Sequence, residues 1–219
     1  LQRVQIAAGR RTDRVAHMGN VPMTGESLHD LGRDGARRAK HWLDSTSRVD
    51  ACWVNPDKGA AQKLTFAWPE GGQSFSFDLG GKLRYGEFDG QLFYAEVKKY
   101  SVASGLNVHY KAFLAKCYVA YLTMPNYADH FMWVSWTPHG TSRWATLTSA
   151  AEVRAAVIEH SDRLFPAGAD PATSVNEQAC SAVADRLWLL ILSDKQESLV
   201  PSTEHLALIH SHELRKVAT

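Results

Sequence analysis

The stretch FSFDLGGKLRYGEFDGQLFYAEVKKY, residues 75–100, decides the fold. Apolar and polar residues alternate along it, as they do in β-strands that bury one face. We predict a turn or bulge at Gly80-Gly81 and a hairpin turn at Asp89-Gly90, because Gly and Asp-Gly favour tight turns. Three strands joined by such short turns form an antiparallel meander. The predicted strands comprise residues 75–78, 83–87 and 91–100.

Helical periodicity flanks the meander on both sides. Apolar residues recur at helical spacing in residues 27–43 and again in residues 107–123, and a short aromatic strand at 131–136 follows. This order of helix, three strands, helix and strand predicts an α/β or α+β fold, with helices on a central mixed sheet. The second helix carries an apolar stripe formed by Phe113, Leu114, Cys117 and Tyr121.

The patterns outside this region are mixed. Turn signals dominate residues 45–60, and Leu64–Trp68 reads as a further strand. Towards the C-terminus we predict helices, a buried strand, and a last segment for which a strand and a helix both stay open. The predicted helices are 150–165 and 174–185, the buried strand is 187–192, and the last segment is 205–209.

We divide the chain into three parts of one domain. Residues 1–26 form an irregular basic arm, residues 27–137 form the core, and residues 138–219 form a C-terminal α/β extension of that core. A chain of 219 residues, 45% of them hydrophobic, is long enough for one compact domain with a substantial interior.

The net charge of the whole chain does not indicate a binding partner. The net charge is +1, so no strong basic field marks a nucleic-acid partner. The charges are nevertheless uneven, because residues 1–48 hold nine Lys or Arg against five acids. A local basic face is therefore expected near the N-terminus.

Cysteine usage and hydropathy indicate the cellular compartment that we expect for the protein. The three cysteines are dispersed, which argues against a disulfide framework or a structural zinc site and fits a reducing cytoplasm. The longest apolar run, Leu187 to Leu192, is too short to cross a membrane, and no signal peptide is visible. Because the sequence starts at Leu1 rather than at a methionine, a longer protein or a system of several proteins stays open.

Glu96 and Lys98 carry the clearest chemistry. They lie two residues apart on a predicted strand, so both side chains emerge on one face, while Ala95 and Val97 face the other side. Such charges are costly within an apolar strand unless they are paired or serve a site. Phosphodiester hydrolysis needs carboxylates to hold Mg²⁺ and a lysine beside it to position the attacking water. Two acids and one lysine on adjacent strands would meet that need.

The triplet Glu96-Val97-Lys98, which follows the hydrophobic residues 92–94, resembles the second motif of the PD-(D/E)xK nuclease superfamily. That superfamily includes restriction enzymes, Holliday-junction resolvases and repair nucleases. Its core has a helix, three strands, a helix and a strand, which matches the order predicted for residues 27–137. The resemblance implies a restriction-endonuclease-like fold.

The same resemblance implies an activity. It implies a nuclease that uses Mg²⁺ or Mn²⁺ to cut DNA in restriction, repair or defence against foreign DNA. Many such nucleases dimerise to cut both strands, so a homodimer is an open expectation. Glu96 and an acid of the first motif would hold the metal, and Lys98 would complete the catalytic set.

Two residues compete for the first acid. The predicted turns place Asp78 level with Glu96 but two strands away, about 9–10 Å. Asp89 would lie at the far end of its hairpin, about 15–20 Å from Glu96. We therefore prefer Asp78 as the catalytic and metal-binding acid and keep Asp89 as the alternative, whose more ordinary role is to form the turn.

Further residues are candidates for secondary roles. Nucleic-acid contacts are expected from Lys99 and from the helix that follows it, and the ordinary alternative is a set of solvated lysines. Acids at the start of the first helix could add a metal ligand, although acids are common there because they favour the helix dipole. The nucleic-acid candidates are Lys99, Tyr110, Lys111 and Lys116, and the helix-start acids are Glu26 and Asp34.

Two other readings stay open. In one, the nuclease fold is kept as a catalytically inactive module that recognises DNA or protein. In the other, the chain is an α/β interaction domain in which Glu96 and Lys98 only form a salt bridge. Stabilisation by Mg²⁺ or Mn²⁺ would separate an intact metal site from both, since a ligand that binds only the folded state must stabilise it.

Overall fold

The computed structural model describes residues 25–57, 59–100 and 105–217. The first half of this region runs through α1 (Gly25–Ser45), β1 (Val49–Val54), α2 (Ala60–Leu64), β2 (Thr65–Phe66), β3 (Phe75–Ser76), β4 (Leu79–Leu83) and β5 (Leu92–Lys98). The second half runs through α3 (Leu106–Thr123), β6 (His130–Ser135), α4 (Ala150–Glu159), α5 (Ser161–Leu164), α6 (Pro171–Ser174), α7 (Glu177–Ala184), β7 (Leu187–Ile191), α8 (Asp194–Glu197) and α9 (Thr203–Val217). Short 3-10 helices lie at Gly86–Phe88 and Thr141–Thr146.

A mixed five-stranded sheet forms the centre, in the order β1-β4-β5-β6-β7. β4 is antiparallel to both β1 and β5, whereas β5, β6 and β7 run parallel to one another. The two residues of β2 and the two of β3 form a small separate ladder. The predicted α/β fold with a central mixed sheet flanked by helices is confirmed.

Helices cover both faces of the sheet, as is usual for sheets with parallel strands. On one face α1 packs over Phe93, Ala95 and Val97 of β5. On the other face α3, α4 and α7 pack around a second apolar cluster. The expected stripe of α3 lies in that second cluster, where Phe113, Leu114 and Cys117 are fully buried and Tyr121 is partly buried.

Gly35 sets how closely α1 approaches β5. A Cβ atom at this position would lie 3.1 Å from Cβ of Lys99 and 3.5 Å from Cγ1 of Val97. The helix can therefore rest directly on the end of the strand. This brings the residues just before Gly35 to the same end of the sheet as Glu96.

Of the two alternatives predicted at Gly80-Gly81, the turn is wrong, whereas the bulge has a counterpart, because the pairing of β1 with β4 shifts register between Asp50 and Trp53, opposite Gly81. Both glycines lie inside β4, between β1 and β5. A Cβ atom at Gly81 would lie 2.0 Å from the backbone oxygen of Asp50, so the close approach of β1 explains this glycine. Glycine marks a tight approach of two backbones as readily as it marks a turn.

Three other segments also differ from the prediction. The first strand of the meander is β1, at 49–54, where turn signals hid it, and the predicted strand 83–87 ends at Leu83. The expected strand at Leu64–Trp68 shrinks to the two residues of β2, since α2 extends to Leu64. The open alternative at 205–209 is settled as a helix, which lies within α9.

Most of the predicted basic arm, residues 1–24, lies outside the described residues, and α1 begins at Gly25 rather than after residue 26. In the part of the chain that the structure describes, no helix is both long enough and apolar enough to cross a membrane.

Candidate active site

Asp78, which immediately precedes β4, lies beside Glu96 of β5. The pairing of Leu79 with Ala95 sets this register, and the amide of Asp78 donates to the oxygen of Ala95 at 3.0 Å. The amide of Val97 donates to Oδ2 of Asp78 at 2.7 Å. The predicted separation by two strands is therefore wrong, because β4 itself follows Asp78 and pairs directly with β5.

Glu96 is the centre of the charged cluster. Its side chain is 7% exposed and accepts hydrogen bonds from two lysines. Nζ of Lys98 lies 2.7 Å from Oε1, while Nζ of Lys116 lies 3.1 Å from Oε1 and 3.0 Å from Oε2. Lys98 also approaches Oδ2 of Asp78 at 3.9 Å. Two acids and two lysines thus share one site.

The close spacing of these charged groups shifts their pKa values. Burial, together with the negative charge of Glu96, raises the pKa of Asp78 to about 6. Burial alone would raise the pKa of Glu96, but the charges and hydrogen bonds of Lys98 and Lys116 outweigh it and lower that pKa. Burial would likewise lower the pKa of Lys98, yet Glu96 and Asp78 raise it. Glu96 and Lys98 are therefore held in their charged forms at neutral pH.

The cluster opens into a cleft of about 480 Å³. Asp78, Glu96 and Lys116 line one side of it, and side chains from three other segments complete it. Asp78 keeps a third of its side chain exposed, so the site is reachable from solvent. The remaining lining residues are Gly32, Arg33, Asn55, Pro56, Phe75 and Ser76.

Hydrogen bonds hold the loop after β1 against the acids. The amide of Asn55 donates to the backbone oxygen of Asp78 at 3.0 Å, and its side-chain Nδ2 donates to Oγ of Ser76 at 2.8 Å. Sequence reasoning missed Asn55, Ser76 and Arg33 as cleft residues. The run Asn-Pro-Asp was visible as a turn signal, but nothing local showed that this turn faces Asp78.

Asp89 does not belong to the cluster. Its Oδ1 accepts the amide of Tyr85 at 2.6 Å, within the connection between β4 and β5. This is the turn-forming role that its position next to Gly90 suggested. Of the two alternatives, the structure brings Asp78 and not Asp89 to Glu96.

The candidates for nucleic-acid contact separate into three groups. Lys116 lines the cleft. Lys99 pairs with Asp34 of α1, and Lys111 pairs with Glu159 of α4, so both are engaged elsewhere. Tyr110 is 1% exposed and donates its hydroxyl to the oxygen of Leu147 at 2.8 Å, so it lies in the core and not at the cleft. The side chain of Glu26 lies outside the described residues.

The donor set suits a magnesium ion. Mg²⁺ binds through one or two carboxylates and keeps water and substrate oxygens as its other ligands, and Asp78 and Glu96 supply two adjacent carboxylates. A divalent cation between them would relieve the repulsion that raises the pKa of Asp78. Over residues 25–57, 59–100 and 105–217 there is no group of three or more His, Cys, Asp or Glu placed to hold a metal. A site built from two carboxylates does not require one.

Comparison with protein-family models, with curated proteins and with solved structures finds no match to this chain.

Proposed function

We propose that this chain is a metal-dependent nuclease of the PD-(D/E)xK type, which hydrolyses phosphodiester bonds in DNA. The observation that carries the proposal is the junction of β4 and β5. There Asp78 and Glu96 lie side by side at a cleft open to solvent, and Lys98, which projects from the same face of β5 as Glu96, bonds to Glu96 although it does not itself line the cleft. These are the residue types, and the spacing along the strand, that the resemblance requires.

The order of the elements supports the same proposal. From Gly25 to Ser135 the large elements are a helix, three antiparallel strands, a second helix and a strand parallel to the third. This is the core expected of a restriction-endonuclease-like fold. In that reading β7 adds a further parallel strand, and the elements from α4 onwards extend the core.

Asp78 and Glu96 would hold the metal ion, most simply Mg²⁺ or Mn²⁺. When bound, such an ion polarises the phosphate and lowers the pKa of a coordinated water. Lys98 would orient the attacking water from beside the carboxylates and stabilise the negative charge that develops on the phosphate. Its raised pKa keeps the ammonium charged for that task.

The positive groups of the cleft would hold the nucleic-acid backbone. Lys116 and the exposed Arg33 face the opening from two different helices, α3 and α1. Phosphate contacts of this kind position a nucleic acid without reading its sequence. Lys99 and Lys111 contribute less in this proposal, because each is already paired with an acid.

Metal-dependent cleavage tests the proposal. Plasmid, linear duplex, single-stranded DNA and RNA are each incubated with the protein in Mg²⁺, Mn²⁺ or EDTA. We expect cutting of DNA only with a metal, and no cutting by a Glu96→Gln variant purified in the same way. A wild-type protein that binds these substrates but never cuts them would favour the inactive recognition module. One that neither binds nor cuts would leave only the interaction domain.

A further inference from the structure

Lys116 holds the carboxylate that the proposed metal ion needs. Its Nζ lies at nearly equal distances from the two oxygens of Glu96, 3.1 Å from Oε1 and 3.0 Å from Oε2. Lys98 takes only Oε1, at 2.7 Å. Together the two ammonium groups contact both carboxylate oxygens of Glu96, the same atoms that a metal ion would bind.

The two lysines are anchored differently. Lys98 stands two residues from Glu96 on the same strand and also lies near Asp78, so its position is set by β5. Lys116 reaches the site from α3 and lines the cleft. Its other contacts are weaker: its Nζ donates to the backbone oxygen of Ser76 at 3.3 Å and lies 6.0 Å from the centre of the Phe75 ring.

Charge balance indicates that one lysine would have to leave Glu96 when a divalent cation binds. Two acids and two lysines nearly cancel, so a divalent cation added to the same carboxylates would leave an excess of positive charge in a buried place. Moving Lys116 into the open cleft removes one like charge from beside the ion. The flexible four-carbon stem of a lysine allows that movement from a fixed helix.

We infer that Lys116 occupies the cation position on Glu96 while no metal is bound, and that it swings into the cleft to hold the substrate phosphate when a metal binds. This inference rests on the proposed function. Lys116 would then oppose metal binding and assist cleavage. A lysine that merely supported Glu96 would favour both.

Removal of Lys116 therefore has two opposite expected effects. We expect Lys116→Met to bind Mn²⁺ about tenfold tighter than wild type, because a charge-assisted hydrogen bond no longer has to be broken. We expect its cleavage rate to fall, because the phosphate loses a positive contact. Mn²⁺ affinity is measured by calorimetry on the whole chain, and the rise of the melting temperature in Mn²⁺ gives a second readout.

Arg33→Met is the matched control. It removes one positive charge from the same cleft, but the structure gives Arg33 no contact with Glu96 among the residues it describes. It should therefore change the Mn²⁺ affinity much less than Lys116→Met does. Lys116→Gln, which keeps a hydrogen-bond donor, replaces the methionine variant if that variant does not fold.

The outcomes separate the inference from the function on which it rests. Equal or weaker Mn²⁺ binding by Lys116→Met, beside a wild type that binds Mn²⁺ and cuts DNA, would overturn the inference and leave the nuclease proposal standing. The same would follow if Arg33→Met tightened binding equally. A wild type that neither binds Mn²⁺ nor cuts would overturn both.

Discussion

The backbone amide of Val97 donates to the carboxylate of Asp78 at 2.7 Å. This bond joins the residue that precedes β4 to the C-terminal end of β5, between Glu96 and Lys98. Because the donor is a backbone group, the position of the Asp78 carboxylate follows from strand pairing and not only from its own rotamer. The backbone of the sheet therefore fixes the carboxylate of Asp78 beside Glu96, and rigidity of this kind is what a metal site would require.

Glu96→Gln should remove both metal binding and cleavage. The amide keeps the shape of the side chain but loses the charge that a metal ligand needs, so Mn²⁺ should no longer raise the melting temperature. The variant should also be less stable without metal, by about 3 kcal/mol, since two partly buried lysines lose their counter-charge. Thermal melting with and without Mn²⁺ measures both effects. Unchanged stabilisation by Mn²⁺ would place the metal elsewhere.

Asp78→Asn and Asp89→Asn should behave oppositely. Asp78 stands beside Glu96, so its amide variant should lose about 10²-fold or more in cleavage rate. Asp89 accepts the amide of Tyr85 through one oxygen, a bond that asparagine can also make. Its variant should cut at the wild-type rate. Initial rates on one DNA substrate, measured side by side, decide which acid belongs to the first motif, and a slow Asp89→Asn would reverse the assignment.

Lys98→Ala should slow cleavage while leaving metal binding in place. The lysine would supply positive charge and water positioning, whose removal typically costs about 10²–10³ in rate. The proposed metal ligands Asp78 and Glu96 are unchanged, so Mn²⁺ should continue to stabilise the variant. Lys99→Ala is the neighbouring control, because Lys99 pairs with Asp34 of α1. Equal losses in the two variants would argue against a specific role for Lys98.

His130 should make the fold sensitive to acid. Its Nδ1 accepts from Nε1 of Trp188 at 3.1 Å, so the ring is neutral, and burial lowers its pKa. A histidine whose folded pKa is lowered contributes stability above its unfolded pKa, about 6.5, and that stability is lost as the pH falls.

The free energy of unfolding should therefore fall more in wild type than in His130→Gln between about pH 7 and about pH 5. Urea unfolding at the two pH values measures this difference. Nearby charges also act on the ring, since Asp129 favours its protonation and Arg186 opposes it. Equal pH dependence in the two proteins would contradict the prediction.

Gly81→Ala should destabilise the sheet strongly. Its Cβ atom would meet the oxygen of Asp50 at 2.0 Å, so β1 or β4 must move, at a cost of about 3 kcal/mol or more. Gly32→Ala is the contrasting change, because nothing lies within 4 Å of its Cβ position and it belongs to α1. That change should add about 0.5–1 kcal/mol of stability. Chemical denaturation curves compare the two, and a stable Gly81→Ala would disprove the close approach.

The sequence by itself determined the elements that carry strong local periodicity. The strand with Glu96 and Lys98 was recognisable because charged residues at a spacing of two interrupt an apolar run. The stripe of α3 was recognisable because four apolar residues share one helical face. Each signal is contained in one short stretch of the chain, so neither depends on contacts between distant segments.

Only the tertiary structure decided what stands beside Glu96. The register of β4 on β5 brings Asp78 next to it, α3 brings Lys116, and α1 brings Arg33 to the cleft. Each of these neighbours is set by hydrogen bonds or packing between distant segments, and a local pattern cannot encode such pairing. Gly80-Gly81 shows the reason most directly, because the same residues that permit a turn also permit two strands to touch.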